Sequence, residues 1–359
     1  MFVPGSIPNI IRSKIISWLS IKMKAKLRKT YNILLRVFII VMTLGFLYNE
    51  VFIKKDFNDV LIFFPKVSIS QNFYPILGIV FLLLIVNFII EAAKWRFFIL
   101  PLEKITLWKS FKAVLTGVSV SMFMPNRVGD YLGRVFILKS ADRIQAIIST
   151  IVGSMSQLIT TLLFGSVALL IAFPKYMNLD DQMNMWLYSG LWAVVIIGDF
   201  TIVFFYLNFG TFSLVIKRIS GRGYEKIKKY ADVFSLYSTS DMLTMILLSM
   251  LRYLVFSLQF FLLLLLFKVN VNYFEAMVLI GLVYLAMALI PTIAFTEIGV
   301  RGSVSVFIFS YFFALTQNTE INQELGVASA STLLWLFNLV MPAFIGAIFV
   351  FSLKFFRKT

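Results

Sequence analysis

The chain has 359 residues and a formal net charge of +16, yet 60% of its residues are hydrophobic and only 14% are charged. This composition excludes an ordinary soluble domain, because the apolar residues form runs of about 20, the length that spans bilayer hydrocarbon. Cys and His are absent, which excludes a disulfide framework, a thiolate metal site and the most common catalytic base. We therefore expect no metal, no cofactor and no enzymatic activity.

The N-terminal residues 1–30 are predicted to be a basic, partly amphipathic cytoplasmic segment. They do not resemble a cleaved signal peptide, because Lys14 interrupts the apolar stretch and a basic block from Lys22 to Lys29 follows it. Met23 is an alternative start. Basic residues throughout the chain stand in short blocks between apolar runs, which indicates loops that face anionic lipid rather than nucleic acid.

Six apolar runs predict full membrane spans: Tyr31–Tyr48, Pro75–Ala93, Ile144–Ala172, Trp186–Asn208, Met242–Phe267 and Val327–Leu353. Two further runs, Phe111–Lys139 and Tyr273–Thr316, are broken around Pro125–Arg127 and Pro291–Arg301. Each break combines Pro, Gly, an acid and an Arg, so each predicts a discontinuous helix or hairpin. The arms of the first are too short to cross, whereas those of the second leave open a re-entrant hairpin or two full spans.

The distribution of Lys and Arg predicts the topology. Placing both termini in the cytoplasm puts most of the 33 basic residues on that side. The predicted fold is an all-α polytopic membrane protein with about six full spans and two broken or re-entrant hairpins. Residues 31–353 then form one transmembrane domain whose halves, 75–172 and 242–353, have opposite topology, and residues 354–359 are a cytoplasmic tail. Inverted repeats with broken helices are a recurrent transporter construction.

The two breaks carry the candidate site. Asp130 and Arg134 are four residues apart, as are Glu297 and Arg301, so each pair shares one helix face. We predict a polar cavity in which Arg127, Arg134 and Arg301 bind an anionic headgroup, with Asp130 and Glu297 beside them. The alternative is two structural ion pairs that hold the breaks together.

Secondary candidates lie outside these two pairs: Asn126, Trp95, Arg96, Asp199 and Arg252. Asp199 and Arg252 stand within apolar runs, where a charge costs roughly 2.5–3.5 kcal/mol on insertion scales and so faces protein or water. The alternative for the Trp–Arg pair that closes the second span is an interfacial anchor. Glu91 is expected to snorkel or to pair with Lys94.

The segments Trp95–Arg96, "TGVSVSMFMPNRVGDYLGRVFIL" (Thr116–Leu138) and "IPTIAFTEIGVRGSV" together resemble the transmembrane region of lysylphosphatidylglycerol synthases and their stand-alone flippase-like relatives. The resemblance covers about residues 75–353. Asp130 stands where that family usually has Glu, and at the second site the acid precedes the Arg instead of following it. A headgroup role therefore transfers more firmly to Arg127 and Arg134 than to Glu297.

The resemblance implies movement or accommodation of an anionic phospholipid or lipid-linked sugar between leaflets. We expect a flippase-like transporter in the cytoplasmic (inner) membrane, with membrane lipid as substrate and anionic lipid at its cytoplasmic face. A homo-oligomer is left open. The alternative is a non-transporting accessory protein for envelope lipid or glycan synthesis; a membrane-embedded enzyme is the least expected. Aminoacyl transfer to lipid is not expected, because that reaction belongs to a soluble domain that follows the membrane part in the synthases.

Overall fold

The computed structural model describes residues 73–122, 124, 128–176, 182–211, 213, 217–219, 224–292, 294–315 and 321–350, with isolated residues at 30, 33, 34, 37 and 41. These residues contain helices and no strand. The α-helices are α1 Phe73–Ile99, α2 Leu107–Ser121, α3 Val128–Val135, α4 Arg143–Tyr176, α5 Gln182–Leu207, α6 Tyr224–Ala231, α7 Thr239–Leu266, α8 Tyr273–Leu289, α9 Ala294–Leu315, α10 Ile321–Trp335 and α11 Met341–Phe349.

Within the described part of the chain, six helices are long and apolar enough to cross a bilayer. This confirms the prediction of an all-α polytopic membrane protein. Five of them coincide with predicted spans. The sixth is Thr296–Leu315, in the second arm of the second break. The predicted span at 31–48 lies outside the described residues.

The first broken run is a hairpin of two short helices. With 15 and 8 residues, α2 and α3 are about 22 Å and 12 Å long, well short of the roughly 30 Å of hydrocarbon. They pack closely through glycine: a Cβ built on Gly133 would lie 2.7 Å from the Cα of Gly117. In the second broken run, the 22 residues of α9 make a helix of about 33 Å, which is long enough to cross.

Short polar side chains set where the helices begin. Thr106 accepts a hydrogen bond from the backbone N–H of Lys109 at the start of α2. Ser238 and Asp241 form a reciprocal capping box at the start of α7, and Asn272 accepts from the N–H of Glu275 at the start of α8. Each cap satisfies N–H groups that the first helical turn leaves unpaired.

The helices pack in matched pairs. The first helices of the two predicted halves, α1 and α7, pack on each other. The first hairpin arm α2 packs on α11, and its counterpart α8 packs on α4. Glycine allows close approach in both contacts, α2 with α11 and α8 with α4. A Cβ on Gly346 would collide with the carbonyl of Leu115, and one on Gly165 would lie 2.6 Å from the Cβ of Leu285. Both contacts join the first predicted half to the second.

The last span is interrupted near its middle. Residues Leu336–Val340 form a π-helical turn between α10 and α11, in which the N–H of Met341 donates to the carbonyl of Leu336. Pro342 follows at the start of α11. Because proline has no N–H, it cannot make the α-helical bond to the carbonyl of Asn338, so the helix widens at this point.

Candidate functional site

A polar face on α1 forms one side of the candidate site. Asn87, Glu91 and Lys94 follow at intervals of four and three residues, so their side chains lie on one face of an otherwise apolar helix. All three are buried, with 1%, 8% and 3% of their surfaces exposed. Charged groups buried at this depth persist only with partners.

Arg134 is the first partner, and it comes from the re-entrant hairpin. Its Nη1 lies 2.6 Å from Oε1 of Glu91. Its Nε and Nη2 donate to the two carboxylate oxygens of Asp130 at 2.8 and 2.5 Å. The guanidinium thus uses three nitrogens on two acids, a fork geometry that a lysine ammonium does not reproduce.

Arg252 on α7 is the second partner. Its Nη1 lies 3.0 Å from Oε2 of Glu91, and its Nε donates to Oδ1 of Asn87 at 2.8 Å. Nδ2 of Asn87 in turn donates to Oδ1 of Asn338 in the π-helical turn, at 3.1 Å. This chain of contacts joins α1 to both α7 and the last span, so it crosses between the two halves.

Lys94 completes the group, 4.0 Å from Oε2 of Glu91 and 3.5 Å from the side-chain oxygen of Gln157. We name the five charged residues the Glu91 cluster: Glu91, Lys94, Asp130, Arg134 and Arg252. It contains three cations and two carboxylates, and therefore carries one surplus positive charge. The pocket beside it, lined by Trp95, Phe98 and Thr150 among others, has room for about one water molecule. The observed conformation is closed.

The second predicted pair forms separately. Nη2 of Arg301 donates to Oε1 of Glu297 at 2.8 Å, and Glu297 is buried at 3% exposure. No described ion pair joins Arg301 to the Glu91 cluster. Met122, at the end of α2, and Trp335 of α10 belong to one buried apolar cluster, and Ile298, beside Glu297, packs against that cluster.

The other predicted residues divide between the cluster and its surroundings. Arg127 and Asn126 lie outside the described residues. Trp95 is buried and donates its indole N–H to Thr150 at 3.1 Å, whereas Arg96 is exposed and its Nε donates to the carbonyl of Ile105 at 3.0 Å. Asp199 on α5 accepts from the hydroxyl of Ser166 at 2.7 Å, away from the cluster.

Sequence reasoning missed the centre of the site. Glu91 does pair with Lys94, one of the two outcomes expected for it, but it also binds Arg134 and Arg252. Asn87 was overlooked altogether. The signal was available, because Asn87, Glu91 and Lys94 form a polar stripe at helical spacing inside an apolar run. Their partners are 43 to 251 residues away in the chain, and no local pattern reveals them.

A carboxylate clasp closes the base of the first hairpin. Glu103, between α1 and α2, accepts backbone hydrogen bonds from Lys139, Ser140 and Ala141 at 2.7–3.1 Å, and Nζ of Lys109 lies 2.7 Å away. Burial alone would raise the pKa of Glu103, but these donors outweigh it and lower the pKa to about 2. The two ends of the hairpin are thereby held together.

Comparisons with known proteins bear on this arrangement. The sequence profile of the family described as the lysylphosphatidylglycerol synthase TM region matches residues 33–318, about four fifths of the chain. The match includes helices α1 to α9, and with them the re-entrant hairpin and the Glu91 cluster. No curated protein and no solved structure gave a significant match.

Proposed function

The chain belongs to the lysylphosphatidylglycerol synthase TM region family, and we propose that it moves lipids with an anionic headgroup between membrane leaflets. The family and the six spans make it a multi-pass membrane protein tied to lipid handling. We propose a transport step in addition: the headgroup crosses through the protein while the acyl chains stay in lipid. Its membrane is the cytoplasmic membrane, with both chain termini in the cytoplasm.

One observation carries the proposal: the Glu91 cluster, inside the membrane domain, has three cations on two carboxylates. A surplus charge in hydrocarbon is costly unless a counter-charge is supplied. A phosphate diester brings one negative charge and would balance the cluster. Arg134 and Arg252 present the planar donors that suit phosphate oxygens.

The position of the cluster fits alternating access. Its charged groups come from α1, from the re-entrant hairpin and from α7, so a relative movement of the two halves changes their spacing. In the closed conformation the neighbouring pocket holds about one water. A headgroup therefore enters only when the two halves move apart, and Glu91 holds the cations together between transport cycles.

The cytoplasmic surface offers a contact for anionic lipid. Lys228 and Lys229 lie exposed on α6, within the basic segment between α5 and α7. Lys229 pairs with Asp142 at 2.7 Å, which fixes α6 against the start of α4. We propose that this segment binds the anionic leaflet surface and orients the protein there.

The test is headgroup translocation in liposomes. Purified protein is reconstituted with fluorescent phosphatidylglycerol, and loss of fluorescence after dithionite addition reports lipid moved to the outer leaflet. We expect transport by the wild type and at least a tenfold lower rate for Arg134→Ala and Arg252→Ala. Arg127→Ala tests the residue that only sequence supports. Lys104→Ala, which removes an exposed basic residue between α1 and α2, is the control and keeps the rate.

Two results would contradict the proposal. Wild-type protein that moves no lipid, although it is folded and correctly inserted, would favour the accessory role. Undiminished transport by Arg134→Ala and Arg252→Ala would mean that the cluster is purely structural.

A further inference from the structure

The indole of Trp335 is an unpaired donor inside the membrane domain. Trp335 is 2% exposed, and its Nε1 has no hydrogen-bond partner among the described residues. Buried indole N–H groups usually find an acceptor, because burying an unsatisfied donor is costly. The other buried tryptophan on the site side, Trp95, follows that rule and donates to Thr150. Trp335 is the exception to explain.

Trp335 lies where the end of α2 packs on the last span. Met122, the residue after α2, and Ile298, in the first turns of α9, both pack in the apolar cluster that contains Trp335. Trp335 also immediately precedes the π-helical turn, whose Asn338 binds Asn87 beside the Glu91 cluster. π-helical turns inside α-helices frequently mark functional sites.

A second buried donor without a hydrogen-bond partner lies on α9. Nε of Arg301 is also buried without a hydrogen-bond partner, although Nη2 of the same guanidinium binds Glu297. Arg301 follows Ile298 by three residues and so shares its face of α9. Both donors have unused capacity and suit an oxygen acceptor, which the observed conformation does not supply.

We infer that Trp335 is a headgroup-binding residue: when the two halves separate, its indole N–H donates to a phosphate oxygen of the lipid. The inference rests on the proposed function and deepens it, because it assigns a binding residue on α10, outside both charged breaks. It also names the substrate chemistry, a phosphodiester rather than an uncharged sugar.

The experiment measures equilibrium binding of fluorescent phosphatidylglycerol to purified protein in detergent. Trp335→Phe removes the N–H and keeps an aromatic ring. We expect it to weaken binding about 10- to 100-fold, the range for a hydrogen bond to a charged group. Trp192→Phe, on the lipid-facing α5, is the matched control and leaves binding unchanged. A fluorescent glucosyl-diacylglycerol, which has no phosphate, should bind weakly and equally to all three proteins.

A second measurement covers the case in which Trp335→Phe does not fold. Wild-type protein labelled with 5-fluorotryptophan gives one fluorine resonance for each of its six tryptophans. The resonance that survives in all five other Trp→Phe variants belongs to Trp335. It should shift on addition of phosphatidylglycerol.

The outcomes separate this inference from the transport proposal. Weakened binding by Trp335→Phe with no transport by the wild type would remove the transport proposal and keep the binding residue. Unchanged phosphatidylglycerol binding by a folded Trp335→Phe would overturn the inference, as would an unshifted Trp335 resonance. Absence of saturable phosphatidylglycerol binding by the wild type would overturn both.

Discussion

Replacing Glu91 with Gln tests whether the Glu91 cluster stabilises the fold. The substitution keeps the size of the side chain and one oxygen acceptor but removes the negative charge. Three cations then face Asp130 alone, and the surplus rises from one positive charge to two. Arg252 and Lys94 lose their only carboxylate partner in the cluster.

The magnitude follows from the distances. At an effective dielectric constant of about 20, separations of 2.6 Å to Arg134 and 3.0 Å to Arg252 each correspond to about 5–6 kcal/mol of gross attraction. Desolvation of the buried ions offsets most of this. Removing one member of a buried ion pair while its partners stay buried costs about 3–5 kcal/mol, and we expect a loss of that size in the free energy of unfolding.

The assay is chemical unfolding in mixed micelles of mild detergent and dodecyl sulfate, followed by circular dichroism. Asp142→Asn is the control, because Asp142 pairs with the exposed Lys229 and an exposed pair is worth about 1 kcal/mol or less. Lys94→Met added to Glu91→Gln removes one cation and should recover part of the loss. The reasoning is refuted if Glu91→Gln costs no more than Asp142→Asn, or if adding Lys94→Met destabilises the protein further.

Three other predictions follow from contacts described above. Glu103→Gln should lower the melting temperature at pH 7. The difference in melting temperature from wild type should shrink as the pH falls from about 4.5 toward 2, because the carboxylate with its depressed pKa stabilises the fold only while it is ionised. A difference that does not change with pH would contradict this. Gly346→Ala should cost about 1–3 kcal/mol or more through its collision with Leu115, whereas Gly190→Ala, which meets open space, should be neutral in the same unfolding assay. Arg134→Lys should destabilise the protein nearly as much as Arg134→Ala, since an ammonium cannot bind two carboxylates with the fork geometry of a guanidinium. The control Arg96→Lys should have little effect, because Arg96 is exposed and makes one described hydrogen bond.

The sequence predicted the fold well because hydrophobic length is a local property. Five predicted spans coincide with described helices, and the first break is a hairpin of the expected kind. The π-helical turn was not predicted, although Pro342 marks it. A proline inside an apolar span predicts a disturbed helix without fixing its form, since α-helical kinks and π-helical turns both accommodate the missing N–H.

The site was predicted less completely, and charge alone does not separate its members. Arg252 and Asp199 looked equivalent, since both stand inside apolar runs. Arg252 joins the Glu91 cluster because α7 packs on α1, whereas Asp199 lies on the peripheral α5 and accepts a hydrogen bond from the hydroxyl of Ser166 there. Which helices are neighbours decides the difference, and helix adjacency does not follow from hydropathy.

The separation of Arg252 from its counter-charge along the chain has a consequence for biogenesis. α7 carries Arg252 in the middle of an apolar helix, and a lone Arg at that depth costs roughly 2.5–3.5 kcal/mol on insertion. The chain is synthesised from its N-terminus, so α1 with Glu91 and Asn87 precedes α7 by about 150 residues. When α7 leaves the ribosome, the groups that accept its guanidinium already stand in the membrane. The carboxylate that Arg252 requires is therefore synthesised and inserted before Arg252 itself. A circularly permuted chain in which α7 precedes α1 would have to insert Arg252 without Glu91.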